Sequence, residues 1–208
     1  MLQNRVDPWG KLVAVPDRGE LMGNRGILHN AENRIVKHWS HKSWVTCLLH
    51  YKEIRRAQPF SPGNYSELFF LDEATAFAAG HRPCTHCQRE RSNEFKAAWL
   101  AANVPIEQHY GFSMKTLDTR LHEERAIRGG AKVTYEAEAS CLPSGTMFEH
   151  EGLAYLVNNG RFLPWTFQGY GKAAAIPNTS IVRVLTPRSV VAAFHNAFIP
   201  KVHSSATA

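Results

Sequence analysis

No stretch of this sequence is long and apolar enough for a membrane-spanning helix. Nor does it open on an apolar segment: Met1-Leu2-Gln3-Asn4-Arg5 leads into polar turn residues, so a soluble, cytoplasmic chain without a signal peptide is expected. Cysteine is scarce. Four cysteines in 208 residues, three of them within one candidate metal site, suit a reducing compartment better than a secreted disulfide framework. Low-complexity tracts are missing, so disorder is expected only at the ends. Gly23-Asn24-Arg25-Gly26 lacks both the lysine-serine ending of a P-loop and the spacing of a dinucleotide-binding turn. Its backbone N–H groups could nest a phosphate, with Arg25 adding charge, but an ordinary tight turn is the simpler reading. Acidic residues stop at Glu151, whereas Arg161, Lys172, Arg183, Arg188 and Lys201 follow.

A hydrophobic content of 44% and a charged content of 20% describe an ordinary globular chain, long enough for one domain or two small ones. The net charge of +6 favours an anionic partner, of which nucleic acid is the commonest. The first sixty residues share this bias, with ten lysines and arginines against five carboxylates, so both ends could flank a phosphate-lined groove. Solvated surface charge is the alternative for so modest an excess.

The residues most suggestive of chemistry lie at Gly80-His81-Arg82-Pro83-Cys84-Thr85-His86-Cys87. Two cysteines at this spacing can bind one tetrahedral Zn²⁺ from a single turn. Pro83 restrains the backbone before them, and Gly80 ends the preceding alanine-rich helix. Cys47-Leu48-Leu49-His50 offers a thiolate and an imidazole upstream, which gives a candidate zinc site of Cys47, His50, Cys84 and Cys87. His81, His86 and Cys141 compete with His50 for the fourth position. A thioredoxin-like redox pair would put a strand before the Cys-x-x-Cys and start a helix at it, whereas here a helix comes first. Zinc deaminases share Pro-Cys-x-x-Cys but need an upstream His-x-Glu, which this chain lacks; His50-Tyr51-Lys52-Glu53 has the wrong spacing.

From Trp44 to Arg89 the order is Cys47, the basic Lys52-Glu53-Ile54-Arg55-Arg56, the aromatic Glu67-Leu68-Phe69-Phe70, the helix Glu73-Ala74-Thr75-Ala76-Phe77-Ala78-Ala79-Gly80 and then Arg82-Pro83-Cys84-Thr85-His86-Cys87. This order resembles the metal-binding N-terminal domain of the Ada family of DNA-repair proteins. The resemblance covers under a quarter of the chain and implies zinc, a DNA-binding basic face and, at Cys47, a thiolate that accepts a methyl group from a DNA phosphotriester. The family's second early cysteine is missing here, and His50 or Tyr51 stands nearby. Replacing a thiolate with an imidazole lowers the charge of the ligand set and makes Cys47 a weaker nucleophile.

Asp72 is the expected cap of the helix at 73–79, and Ser92 or Asn93 that of the next, which runs to about Ala102 before Val104-Pro105. A third helix is expected from Met114 to Arg128, stopped by Gly129-Gly130. Asp118, His122 and Arg125 recur on one face of it with Glu123 alongside, a set suited to acid–base work or phosphate binding, or else to solvated ion pairs. Beyond Ala131 short strands follow, with Asn158-Asn159-Gly160 as a hairpin turn and Trp165, Phe167 and Tyr170 in a loop bounded by Pro164 and Gly169.

The expected fold class is α+β: a small zinc-knuckle module, a helix, and a C-terminal antiparallel sheet or partly open barrel. Its segments are 1–37 (strands and loops), 38–102 (the Ada-like module), 103–130 (a helical connection) and 131–208 (the β-rich region). The function expected first is zinc-stabilised binding of nucleic acid, DNA foremost, in repair or modification. Arg55, Arg56, Arg82, Arg89 and Arg91 would meet phosphates, with Trp165, Tyr170 and Lys172 extending the surface. The alternatives are an enzyme acting on nucleic acid, either through Cys47 as alkyl acceptor or as a hydrolase using Asp118, His122 or Glu123, and a protein-interaction module with structural zinc.

Overall fold

The computed structural model describes residues 1–52 and 58–207, which form an α+β fold of four α-helices and two six-stranded sheets. The first sheet comprises β1 (Arg5–Val6), β2 (Leu12–Val13), β3 (Leu21–Asn24), β4 (Val45–Leu48), β5 (Leu68–Phe70) and β6 (Arg82–Pro83), in the order β2-β1-β5-β3-β4-β6. It is mixed, since β1 runs parallel to β5 and β4 parallel to β6 while the other neighbours are antiparallel. Three of its strands come from residues 1–37 and three from the cysteine-bearing segment, so the expected boundary at residue 37 runs through the middle of one sheet.

Helix α1 (Glu73–Ala78) follows β5, and all six of its residues are buried. Alanine at 74, 76 and 78 lets the layers above and below approach this short helix closely, where larger side chains would hold them apart. Asp72 caps it as expected, accepting from the Thr75 N–H at 2.8 Å. Gly80 closes it with φ +86°, and a Cβ there would come within 2.6 Å of Arg125 Cδ. Helix α2 (Arg89–Asn103) begins earlier than expected. The turn through Cys84 already runs into it, with Gln88 N–H bonded to Cys84 O at 3.1 Å, and Ser92 is buried in its first turn instead of capping it. Helix α3 (Met114–Arg125) stops short of the glycine pair, because Ala126 turns extended where the buried Arg125 is anchored to the Gly80 and Lys42 carbonyls.

The second sheet holds β7 (Tyr135–Glu138), β8 (Met147–His150), β9 (Leu153–Asn158), β10 (Arg161–Thr166), β11 (Gly169–Tyr170) and β12 (Ile181–Val184), in the order β11-β10-β9-β8-β12-β7. It is antiparallel throughout and open, its edge strands β11 and β7 not pairing with each other. The β9–β10 hairpin turns at Asn159 and Gly160, with φ +49° and +73°, as the Asn-Asn-Gly signal requires. Trp165 and Tyr170 belong to paired strands β10 and β11, not to the expected loop. Pro164 does not break β10, because its carbonyl still accepts from Gly171 N–H at 2.9 Å. Helix α4 (Arg188–His195) closes the fold, packing Val190, Phe194 and the following Phe198 against Phe77, Phe95, Trp99, Leu117 and Leu121. A second cluster, with Ala74 and Ala78 against Met147, Leu156, Leu163 and Tyr170, joins α1 to the second sheet.

Candidate metal centre

Strand pairing explains why Cys47 meets the Cys-x-x-Cys turn. β4 and β6 run parallel with Thr46 opposite Pro83, so the next residue of each strand is a cysteine, and Cys84 N–H bonds to Thr46 O at 2.9 Å. Gln88 holds the far side of the turn by donating to the Thr46 carbonyl, also at 2.9 Å. Cys87 then returns one turn later, and the sulfurs of Cys47, Cys84 and Cys87 lie within 4.8 Å of one another. Tetrahedral zinc with sulfur at about 2.3 Å needs sulfurs roughly 3.8 Å apart, so a small inward adjustment completes the set.

The backbone prepares these sulfurs for negative charge. His86 N–H points at Cys84 Sγ over 3.4 Å, the Cys87 N–H also donates to Cys84, and the Leu48 N–H donates to Cys87. As a free thiol Cys84 is drawn down to about 5, chiefly because it accepts a hydrogen bond from Cys47. Cys47 is pushed up, first by that same bond and then by burial. Three half-exposed cysteines therefore favour one shared negative charge, and a cation between them would draw out the remaining protons.

Among the described residues no fourth His, Cys, Asp or Glu joins the cluster. His50 is exposed and outside it, because β4 ends at Leu48 and the chain turns away at once. His81 is buried beneath, within reach of Arg25 Nε at 3.3 Å and packed on Trp44 and Phe70. Cys141 is exposed beside Ser140, outside the cluster. His86, one of the expected competitors for the fourth position, lines the same cleft as the three cysteines, its ring against Tyr51. That cleft, about 280 Å³, is walled by Met22, Leu49, Pro59 and Phe69.

No family model, curated protein or solved structure matches this chain. The resemblance to the Ada domain thus stands on the residues between Trp44 and Arg89 alone.

The arginines expected to face phosphate divide sharply. Arg82 is 3% exposed and clamps Asp118 with two bonds of 2.7 Å, and Ser43 Oγ donates to the same carboxylate. Arg91 holds Glu73 and Glu94 and donates to the Ile199 carbonyl. Both guanidiniums work inside the fold. Arg89 and Lys172 are exposed, while Arg55 and Arg56 lie outside the described residues. Tyr170 is buried with its hydroxyl on Asp72 at 2.7 Å, and Trp165 Nε1 donates to Thr75 Oγ1 at 3.0 Å, so neither presents a free stacking face with a free polar edge. The α3 face turns inward as well. Both Asp118 oxygens are engaged, His122 packs edge-on against Trp39 and Trp44, and Glu123 alone is exposed. A face of alternating Asp, His and Arg looked like a solvated or catalytic stripe because sequence shows the charges without the buried arginine from β6 that one of them meets.

Proposed function

We propose that this chain is a zinc-binding protein whose Cys47, Cys84 and Cys87 thiolates hold the metal, with the fourth position open to the adjoining cleft or filled by His86, and that it binds nucleic acid. The observation that carries the metal reading is the trio of sulfurs within 4.8 Å, two of them receiving backbone N–H bonds. Such bonds stabilise thiolate over thiol, which a purely apolar cysteine cluster would not need. Bound there, zinc would supply a fixed positive charge and a Lewis-acidic position facing the cleft. The chain's own part is to fix three ligands on two parallel strands and one turn, and to shield them with Met22, Leu49 and Phe69.

Support for nucleic acid is the charge of +6, the resemblance, and the exposed Arg89 and Lys52 near the centre; Arg82 and Arg91 no longer contribute. The hydrolase reading loses Asp118, which is clamped by Arg82, and keeps the exposed Glu123. Cys47 as alkyl acceptor keeps one favourable observation, its sulfur lining an open cleft. In that reaction the sulfur–carbon bond forms as the carbon–oxygen bond of a phosphotriester breaks, leaving a phosphodiester anion.

Elemental analysis of protein purified without added metal should give one zinc per chain, falling to a small fraction of that in Cys84→Ser. Full zinc in Cys84→Ser would overturn the site. Affinity for duplex DNA should fall steeply between 50 and 200 mM salt, by roughly tenfold or more if two or three phosphates are contacted. Binding that ignores salt removes the nucleic-acid half while leaving the metal half intact. Intact mass of Cys47 peptides after exposure to methylphosphotriester DNA separates acceptor from binder.

A further inference from the structure

A second cavity, of about 310 Å³, is unrelated to the thiol cleft and is lined by Arg25, Arg125, Lys132, Trp9, Trp39 and Trp44. None of the residues that line it is acidic, and Lys11 adds a further cation. Arg25 is 4% exposed and Arg125 is 2% exposed. Each is only partly satisfied. Arg25 donates through Nη1 to Gly10 O at 3.0 Å and through Nε to His81, yet its Nη2 is buried without a partner. Arg125 uses both terminal nitrogens on the Gly80 and Lys42 carbonyls, and its Nε is buried and unpaired. Their guanidinium carbons lie 4.3 and 4.4 Å from the centre of the same Trp44 ring. Lys132 donates to Ala78 O beside them.

Buried charge without a counter-ion is costly, and native structures rarely leave it so. The nearby carboxylates do not supply the balance. Asp118 is neutralised by Arg82, which leaves Asp7 against Arg25, Arg125 and Lys132, a surplus of two positive charges. Three cationic side chains line one cavity, and two of them keep a buried N–H donor without a partner, a charge and donor surplus that suits a tetrahedral dianion. The cavity is also far larger than such an ion alone, at the lower end of the range for small-molecule sites. Beyond the cations its walls include three indoles beside Leu12, Ile35 and His38: Trp9 and Trp39 are half-buried, and Trp39 leans on Trp44 at 5.9 Å.

We propose that this cavity binds a phosphomonoester dianion carried on a planar ring, a free nucleoside monophosphate being the chemical class, with the phosphate on Arg25, Arg125 and Lys132 and the ring against Trp9 and Trp39. The turn Gly23-Asn24-Arg25-Gly26 thereby contributes through its guanidinium, its Gly26 N–H being turned to Asn24 Oδ1. The proposal is independent of the zinc and nucleic-acid readings, since no residue lines both cavities.

The test is calorimetric titration of the full chain with adenosine 5′-monophosphate, inorganic phosphate and adenosine, each at matched ionic strength in chloride. The monophosphate should bind at least roughly tenfold more tightly than inorganic phosphate, and adenosine should bind weakest, as expected when both the charged bonds and the ring contribute. Arg25→Met and Lys132→Met should each weaken the monophosphate roughly tenfold or more, whereas Arg161→Met, at an exposed position of β10 outside the cavity lining, should leave it unchanged. Trp fluorescence quenching gives an independent readout, and if Arg25→Met fails to fold, Lys132→Met carries the test. No heat or quenching with the monophosphate, equal affinity for inorganic phosphate, or unchanged binding in Lys132→Met would each overturn the proposal. Equal competition by a 5′-phosphorylated oligonucleotide would overturn the assignment to a small molecule.

Discussion

Asp118 illustrates how one residue can carry a chemical expectation and serve a structural end. It is 3% exposed, clamped by the two-pronged Arg82 and bonded by Ser43. Removing one partner of such a buried pair strands the other charge, at about 3–5 kcal/mol. Asp118→Ala should lower unfolding free energy in urea by that much, and a loss below about 1 kcal/mol would mean that Arg82 finds solvent. Double replacement of Asp118 and Arg82 by apolar residues should recover much of the loss, because the desolvation cost leaves with the charges. Asp72 concentrates still more bonds. Its oxygens receive Thr75 N–H, Thr75 Oγ1, Tyr170 OH and His203 N–H between 2.7 and 3.0 Å, so that it ties α1 to β11 and to the C-terminal segment. Asp72→Ala should therefore cost more than the roughly 0.5–2 kcal/mol of a lost cap, with Tyr170→Phe costing about 1 kcal/mol, both read from chemical denaturation.

At the scale of elements, the three-cysteine cluster depends on a register. Cys47 and the Cys84 turn are 37 positions apart in the chain, and only the parallel pairing of β4 with β6 brings them together. Helix α1 enforces that pairing by filling the crossover between β5 and β6, and Gly80 ends it with a backbone that only glycine takes without strain. Gly80→Val should force Arg125 aside, since a Cβ already meets its Cβ, Cγ and Cδ at 2.6–3.1 Å. Lower zinc occupancy together with lower thermal stability is the expected result; normal zinc binding would show the register to be held by the strands alone. Cys84 and Cys87 were legible in the sequence because their spacing is a local property, and so were the Asp72 cap, the Gly80 stop and the Asn159-Gly160 hairpin; Cys47, 37 positions away, was reached only through the order of motifs between Trp44 and Arg89. His50 misled because residue spacing reports reach but not the direction of the chain, which leaves β4 at Leu48 and carries the imidazole out to solvent. Arg82 and Arg91 misled for a related reason. A basic residue beside a metal knuckle looks solvent-facing until the carboxylates of α1 and α3 are seen to close on it.

For the whole molecule, the surplus of buried positive charge between the first sheet and α3 predicts how stability depends on pH. Lys132 is pushed down to about 7 from an ordinary 10.5, chiefly by burial and then by Arg25, with Arg125 acting the same way and Asp7 opposing. His81, facing the same cations, is lowered too and stays neutral at physiological pH. Below pH 7 Lys132 is charged in both folded and unfolded chains, and the fold bears the full cost of enclosing it. Between about pH 7 and the unfolded value the folded chain has released a proton that the unfolded chain retains, so unfolding takes up protons and stability rises with pH. Arg25 and Arg125, both drawn down to about 9 by burial, add to the same slope at its upper end. Asp7, raised by burial, acts oppositely but in the acid range, where stability falls as pH climbs through its unfolded value. The midpoint of thermal unfolding should therefore increase from pH 6.5 to 8.5. Adding sulfate, whose charge is constant over this range, should flatten the increase by stabilising the protein most at pH 6.5, where Lys132 is charged and the cavity most in need of an anion. In Lys132→Met the pH slope and its response to sulfate should shrink together. A slope that survives this substitution, with sulfate acting equally at both ends, would place the titrating charge elsewhere in the fold.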